Sequence, residues 1–234
     1  LRRQRQMCIR DRYQKKRLGT KRGFIAVKPN CSIQSYTPAI FALKEFGPKL
    51  VVATTYQAIS GAGKTFKDWP EMEGNVIPYI AGEEEKSEQE PLRLMGKLVD
   101  GHIEKAALPV ITTQCLRVPV LNGHTAAVFV NFEKKPTKEE ILDRWTNFKG
   151  LPQELNLPSA PKHFIQYLEE DNRPQVALDV NYANGFGVSF GRLREDAVFD
   201  WKFVGLSHNT IRGAAGGAVL SAELLVAQKY ITAK

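Results

Sequence analysis

The sequence predicts an α+β domain built on a mixed or mostly antiparallel sheet. Strand-like runs of apolar and β-branched residues alternate irregularly with runs of helical periodicity, and several turn motifs between strands indicate hairpins. Of the 234 residues, 43% are hydrophobic and 25% are charged, which is ordinary globular composition with enough apolar surface to form a core. This composition excludes a chain that is disordered along most of its length.

The first half of the chain is predicted to contain four strands and two helices. The strand-like runs are Gly23 to Val27, Leu50 to Tyr56, Asn75 to Ile80 and Val110 to Val118. Apolar residues recur at helical spacing from Ile40 to Phe46, and Gly47 ends that helix. Glu83 to Leu98 predicts a charged helix in which Pro91 marks a break or kink.

The second half begins with a strand from Thr125 to Phe132, after the turn at 121–123. Thr137 is followed three residues later by Glu140, a capping box that predicts a helix through Trp145. The remaining predicted elements are three strands and a last helix, at Val176 to Val180, Gly187 to Leu193, Val198 to Leu206 and about Thr210 to Tyr230.

The net charge of +8 is concentrated at the start of the chain. Residues 1–22 carry ten Lys or Arg and one acid, whereas the rest carries 23 basic and 24 acidic residues. The body has no basic stripe with interleaved aromatic residues, so we expect no nucleic-acid partner. No apolar run approaches the roughly 18 residues of a membrane span, and no secretory leader opens the chain. We therefore expect a cytoplasmic protein with no membrane partner.

Residues 1–12 have an unusual composition. Met7-Cys8-Ile9-Arg10-Asp11-Arg12, preceded by Gln6, matches the translated mosaic-end sequence of a common transposon-based sequencing library. We therefore predict that residues 1–12 are adapter read-through and that the genuine chain begins near Tyr13. The alternative is a genuine basic arm.

Three side chains are candidates for chemistry. Cys31 lies in a predicted strand-to-helix turn, where helix N-terminal amides favour a nucleophilic thiolate; a buried, inert cysteine is the alternative. His124 follows Asn122-Gly123 at a predicted hairpin, which favours a working imidazole. Arg117 lies inside an apolar strand, where an unpaired charge is costly, so we expect it to hold an anion.

Cysteine and histidine spacing indicates neither a disulfide framework nor a metal site. Apart from Cys8, the chain has only Cys31 and Cys115, and its four histidines show no ligand spacing. We therefore expect a reducing compartment and no metal.

Five sequence blocks together resemble the aspartate-semialdehyde dehydrogenases, most closely the archaeal and fungal branch. The blocks are Pro29-Asn30-Cys31-Ser32, Thr55 to Gly63, Asn75 to Ile80, Arg117 to Val120 with Gly123-His124-Thr125, and Asn209 with Arg212 to Gly217. They occur in unbroken order, and the resemblance extends from about Gln14 to the C-terminus.

The resemblance implies the catalytic and dimerisation domain of the semialdehyde dehydrogenase or glyceraldehyde-3-phosphate dehydrogenase-like type, with the N-terminal Rossmann domain missing. Residues 13–30 would end the NADP-binding domain and its linker, 31–209 would form the catalytic and dimerisation domain, and 210–234 would form a helix packing on the missing domain. We accordingly expect an apolar face of that helix to be partly uncovered. The Gly-rich fingerprint of a dinucleotide-binding domain is absent from this sequence.

The activity implied by the resemblance is NADP-dependent reductive dephosphorylation of 4-aspartyl phosphate to aspartate 4-semialdehyde through a cysteine thioester. The reaction would serve lysine, methionine and threonine biosynthesis, in a homodimer or homotetramer. We expect the chain as given not to turn over NADPH. The alternatives are a related reductase acting on N-acetylglutamyl phosphate or malonyl-CoA, and a catalytically silent interaction domain.

The resemblance also implies residue roles. Cys31 matches the nucleophile and His124 the general acid/base. The residues that match substrate-binding positions are Asn30, Gln57, Glu83, Lys86 and Arg117, and those that match cofactor-binding positions are Ser60, Gly61, Ala62, Gly63 and Asn209. Arg117 would bind the substrate carboxylate, Glu83 the amine, and Lys86 would lie near the phosphate. A solvated helix face is the alternative for Glu83 and Lys86, and a simple turn is the alternative for 60–63.

Overall fold

A six-stranded mixed sheet organises the computed structural model, which describes residues 14–21, 23–100 and 102–232. The strands are β1 (Pro48–Gln57), β2 (Lys97–Val99), β3 (His102–Glu104), β4 (Val110–Arg117), β5 (His124–Phe132), β6 (Ile165–Leu168), β7 (Val188–Glu195) and β8 (Trp201–Ser207). The large sheet has the order β4-β1-β5-β8-β7-β6, and β2 and β3 form a separate antiparallel pair. The β1/β4 and β6/β7 pairs are parallel and the other pairs are antiparallel, which confirms the predicted fold class.

The helices lie mainly between strands. They are α1 (Thr37–Ala42), α2 (Glu83–Met95), α3 (Lys138–Thr146), α4 (Leu151–Glu154), α5 (Val176–Asp179) and α6 (Ala215–Ala227). Residues 14–18 are also helical. None of the helices in the described ranges is long and apolar enough to cross a membrane. The predicted adapter segment 1–12 and the predicted start at Tyr13 lie outside the described residues.

The core lies between one face of the sheet and helices α1 and α3. Alternate residues of the central strands, such as Val51 and Val128, point to this face and are buried. Trp145 of α3 packs with its ring centroid 5.0 Å from that of Phe190 and 5.2 Å from that of Phe203. The 3.6-residue period of α3 and the two-residue period of the strands place these rings in one layer.

The opposite face of the sheet is less covered. Its residues alternate with the core residues along β1, β5 and β8 and are intermediate or exposed: Val52, Thr54, Tyr56, Ala127, Phe129 and Val204. We call these residues the open face.

Helix α2 is continuous through Pro91, contrary to the predicted break. Because proline has no N–H, the Ser87 carbonyl one turn earlier loses its helical partner. The Tyr36 hydroxyl donates to that carbonyl at 2.6 Å. A tertiary hydrogen bond thus compensates for the proline.

Three predicted strands are wrong. Residues 23–27 have no regular structure, residues 75–80 form only the isolated bridge between Ile77 and Arg117, and Val176–Asp179 is a helix. Asp179 explains the helix, because its carboxylate accepts the backbone N–H of Gln175 at 2.6 Å and side-chain donors of Arg173. A short apolar run does not by itself distinguish strand from helix.

The predicted hairpin before His124 is also wrong. Strands β4 and β5 flank the turn at 121–123, but both pair with β1, which lies between them. The predicted last helix starts at Ala215 rather than near Thr210. Its apolar residues are partly uncovered as expected: Leu220 and Leu225 are buried, whereas Val219 is 52% exposed. The elements that the patterns missed are β2, β3, β6 and α4.

Candidate active site

The candidate residues meet at one end of the central strands. Strands β1 and β4 are parallel, so Gln57 and Arg117 lie opposite each other at their carboxyl ends. Strand β5 runs antiparallel to β1, so its first residue, His124, lies at the same edge. Cys31, immediately before the 3₁₀ turn Ser32–Ser35, and Glu83, the first residue of α2, complete the group.

Cys31 and His124 are in contact. The Cys31 Sγ lies 3.4 Å from His124 Nε2, and the other ring nitrogen, Nδ1, accepts the Ala58 N–H at 3.0 Å. Burial raises the pKa of the Cys31 thiol, and the nearby Glu83 carboxylate acts in the same direction. Burial lowers the pKa of His124 to about 3, and the Arg117 charge contributes. The imidazole is therefore neutral at physiological pH.

Asn30 holds the loop that carries Cys31. Its side-chain oxygen accepts the Ser32 backbone N–H at 2.7 Å and the Ser32 hydroxyl at 2.9 Å. Its side-chain nitrogen donates to Glu83 at 2.9 Å, and its backbone N–H donates to Glu90 at 2.6 Å. These bonds orient the amide and tie the loop to α2.

Glu83 lies inside the group, whereas Lys86 lies at its edge. The Glu83 carboxylate accepts from Asn30, from Gln57 at 3.4 Å and from Lys86 at 3.1 Å. The Lys86 side chain is 53% exposed and that of Glu83 only 14%. The solvated-face alternative therefore does not describe Glu83.

Arg117 is 6% exposed, and its Nη1 donates to the Ala58 carbonyl at 2.6 Å. Burial lowers the pKa of its guanidinium, while the Glu83 carboxylate acts in the opposite direction. Within the part of the chain that the structure describes, no carboxylate forms an ion pair with it at 4.0 Å or less. Among the described residues, the Arg117 guanidinium at the site therefore has no carboxylate as an ion-pair partner.

The Gly-rich segment packs on His124. Ser60, Gly61 and Ala62 belong to the 3₁₀ turn Ile59–Ala62, and Gly63 follows it with a φ of 69°. A Cβ on Gly61 would lie 3.0 Å from the Arg117 Nη1 and 3.3 Å from the His124 Nε2. Gly61 therefore packs closely against both side chains.

Asn209 connects this segment to the strand that carries His124. It donates to the Ser60 hydroxyl at 2.8 Å and accepts the Gly123 N–H at 2.8 Å. The structure thus brings the predicted cofactor-binding residues next to the predicted catalytic pair.

Sequence patterns missed four groups at this site. They are the Ala58 amide, the Glu90 carboxylate, the Lys28 ammonium, whose charge partly opposes the burial that raises the pKa of Cys31, and Gly213, where a Cβ would lie 2.6 Å from that of Cys31. Ala58 and Gly213 had a signal, since each belongs to one of the five blocks. Across the described ranges, no group of three or more His, Cys, Asp or Glu residues is placed to hold a metal ion.

Comparison with known proteins identifies the family. The family model for the dimerisation domain of semialdehyde dehydrogenases matches residues 40–212. The chain belongs to the semialdehyde dehydrogenase family. The aspartate-semialdehyde dehydrogenase of Methanothermobacter thermautotrophicus is 41% identical over 208 residues, which are 87% of this chain and 59% of the relative. That of Aspergillus fumigatus is 39% identical, over 94% of this chain and 63% of the relative.

A solved semialdehyde dehydrogenase shares the fold. The aspartate semialdehyde dehydrogenase from Candida albicans, solved with NADP, has a TM-score of 0.84 and 33% identity, over 97% of this chain and 66% of that chain. These archaeal and fungal relatives confirm the resemblance found in the sequence. The chain spans about 60% of the length of the curated relatives that it matches.

Proposed function

We propose that this chain is the catalytic and dimerisation part of an NADP-dependent aspartate-semialdehyde dehydrogenase, which reduces 4-aspartyl phosphate to aspartate 4-semialdehyde and phosphate. The observation that carries the proposal is the contact of 3.4 Å between Cys31 Sγ and His124 Nε2, beside the Arg117 guanidinium. The reaction belongs to the biosynthesis of lysine, methionine and threonine.

Cys31 supplies the nucleophile. Its thiolate attacks the acyl carbon of 4-aspartyl phosphate, a C–S bond forms, and the C–O bond to phosphate breaks. The bound NADPH supplies the hydride that reduces the resulting thioester. The hemithioacetal then collapses, the C–S bond breaks, and Cys31 leaves as thiolate. The His124 Nε2 lies in contact with the sulfur.

The surrounding side chains match the other groups of the substrate. The Arg117 guanidinium offers a planar pair of donors to the substrate carboxylate, a task that lysine performs poorly. Glu83 receives the substrate amine, and Gln57 orients the substrate. Lys86, the most exposed of the set, contacts the phosphate, and Asn30 donates beside the nucleophile.

The residues around Gly61 fit the nicotinamide end of NADP. Because Gly61 has no side chain, its backbone lies close to Arg117 and His124, where a Cβ would be crowded. The nicotinamide would lie against this backbone, close to Cys31. Ser60, Ala62 and Gly63 border it, and Asn209 holds Ser60 in place.

An assay of NADP reduction with aspartate 4-semialdehyde and phosphate tests the proposal. Because the relatives are longer, the assay uses a chimera in which the amino-terminal part of the Methanothermobacter relative precedes Gln14, and the 234-residue chain, which we expect to be inactive, is assayed beside it. We expect activity in the chimera, loss of at least about a thousandfold in Cys31→Ala, and retention in Cys115→Ala. Activity that survives Cys31→Ala would refute the thioester route.

The same chimera distinguishes the alternatives. Faster turnover of N-acetylglutamyl phosphate or malonyl-CoA than of the aspartate substrate would assign the chain to a related reductase. The role of Arg117 is tested in the same chimera. In Arg117→Lys we expect the KM for aspartate 4-semialdehyde to rise about tenfold or more, because a bidentate contact is lost. A silent interaction domain would show no turnover with any of the three substrates.

We also propose that two copies associate through the open face and that the protein works in the cytoplasm. The association is supported by the family match, which is to a dimerisation domain, and by the apolar side chains of the open face, which a second copy would cover.

The cytoplasmic location is supported by the two described cysteines, which are both free, as in a reducing compartment.

A further inference from the structure

A cavity of about 290 Å³ is formed by helix α1, the end of α2 and the segment 148–153. Its lining is mostly apolar and includes Ile33, Pro38, Phe41, Leu94, Phe148 and Phe164. None of the proposed catalytic, substrate-binding or cofactor-binding residues lines it. The cavity is therefore separate from the candidate active site.

Arg212 brings a positive charge to this apolar cavity. Its guanidinium carbon lies 4.4 Å from the centroid of the Phe164 ring, and its Nε donates to the Gln34 side-chain oxygen at 3.2 Å. The ring attracts the cation through its face, and the hydrogen bond fixes the edge of the guanidinium that carries Nε. Together the two contacts hold the guanidinium in one orientation.

The charge of Arg212 is unpaired within the described part of the chain. No carboxylate there forms an ion pair with it at 4.0 Å or less. Burial lowers the pKa of the guanidinium to about 10, so the group stays charged at neutral pH. Because a desolvated cation without a counter-ion is costly, the cavity favours an anion.

We propose that this cavity is a binding site for a small carboxylate with an apolar body, whose carboxylate pairs with Arg212 while its body contacts the apolar lining. The two oxygens of a carboxylate match the parallel N–H groups of a guanidinium, and its single charge balances that of one arginine. A phosphate with two charges would keep one of them unbalanced among apolar side chains. The proposal does not depend on the proposed activity.

The size and composition of the cavity fit this class of ligand. Small-molecule sites commonly occupy about 300 to 1,000 Å³ and combine an apolar lining with a few polar groups that fix the orientation of the ligand. The cavity lies at the lower end of this range, and Arg212 supplies its one charge. A ligand with one ring and a short acidic chain is therefore of suitable size.

The proposed site adjoins the loop that carries the nucleophile. Gln34 accepts from Arg212, and its side-chain nitrogen donates to the Asn30 carbonyl at 3.4 Å. Gly213, the residue after Arg212, lies so close to Cys31 that a Cβ there would be 2.6 Å from that of the cysteine. The two sites are thus adjacent, although they share no residue.

NMR titration of the ¹⁵N-labelled 234-residue protein with 3-phenylpropionate tests the proposal. The control ligand is 3-phenylpropionamide, which has nearly the same shape and no charge. We expect the carboxylate to bind at least about tenfold more tightly than the amide, because only the carboxylate forms a charged pair of hydrogen bonds with a guanidinium. Equal affinities, or no binding of either compound, would overturn the proposal. The comparison uses the wild-type protein, so its result does not depend on the folding of a variant.

Two arginine variants locate the binding of the carboxylate. Arg212→Met removes the charge from the cavity, whereas Arg144→Gln removes a charge that pairs with Glu45 and Asp143 outside it. We expect Arg212→Met to lose the preference for the carboxylate over the amide, and Arg144→Gln to keep it. A preference that persists in Arg212→Met would place the carboxylate elsewhere and refute the assignment.

The chimera with the amino-terminal part of the Methanothermobacter relative shows whether a free molecule can occupy the cavity in a longer protein. We expect the same preference for the carboxylate in the chimera. Binding to the 234-residue chain but not to the chimera would mean that the amino-terminal part fills the cavity, and this result would exclude a small-molecule site. Because binding is measured without substrates, failure of the proposed enzyme activity leaves the test intact.

Discussion

Cys31 and Cys115 are both free thiols, but their surroundings differ. Cys31 is partly exposed beside His124, whereas Cys115 is fully buried on β4 with its Sγ 3.7 Å from the Ser87 hydroxyl. We predict that iodoacetamide at pH 8 labels Cys31 at least about tenfold faster than Cys115, because reaction requires access as well as thiolate. Mass spectrometry of the two peptides measures the ratio, and equal slow rates would favour a silent domain.

His124 makes the stability of the protein depend on pH. Its pKa falls from 6.5 to about 3 on folding, so between these values the unfolded chain binds a proton that the folded chain does not. Stability therefore falls as the pH decreases below 6.5. We predict that this residue accounts for a loss of about 2 kcal/mol between pH 6.5 and 5.

The comparison of urea unfolding for wild type, His124→Gln and the control His163→Gln measures this loss. His124→Gln should show the smaller decrease in the free energy of unfolding, because glutamine does not titrate. His163 lies on the surface, so its variant should follow wild type. Parallel curves for all three proteins would contradict the prediction.

At the scale of elements, α2 organises both the site and the sheet edge. Its Glu90 and Glu83 hold Asn30. Its Glu84 and Glu88 accept the N–H groups of Cys115 and Thr113 on the edge strand β4, at 3.2 and 3.0 Å. These carboxylates satisfy backbone donors that an edge strand otherwise leaves free. The same helix thus connects the nucleophile loop to the strand that carries Arg117.

The continuity of α2 through Pro91 depends on Tyr36. In Tyr36→Phe, the Ser87 carbonyl loses the hydroxyl that replaces its helical N–H partner. We predict a loss of about 1 to 3 kcal/mol in the free energy of unfolding, the cost of an unpaired buried carbonyl. Adding Pro91→Ala restores an N–H one turn later, so the double variant should recover part of that loss. Additive losses in urea unfolding would show that the two residues are uncoupled.

At the scale of the whole molecule, the proposed association of two copies depends on the open face. Thr54 lies at its middle, paired with Gln114 on one side and Ala127 on the other. We predict that Thr54→Arg shifts a dimer to monomer, because the substitution would bury an unpaired charge in the interface. Leu155→Arg adds the same charge at an exposed site after α4 and should leave the dimer intact. Sedimentation velocity distinguishes the two, and a dimer that survives Thr54→Arg would exclude this face.

The sequence by itself determined the family, the fold class, the Thr137 capping box and strands β1, β4, β5, β7 and β8. These features follow from local periodicity, caps and motifs that are read along the chain. Only the tertiary structure decided that β1 separates β4 from β5, that Val176–Asp179 is a helix, and that Glu83 accepts a hydrogen bond from Asn30. It also decided the contact between His124 and the Ala58 amide, which are 66 residues apart in sequence. Strand pairing and burial bring such groups together, and no local pattern encodes which remote partner a side chain will meet.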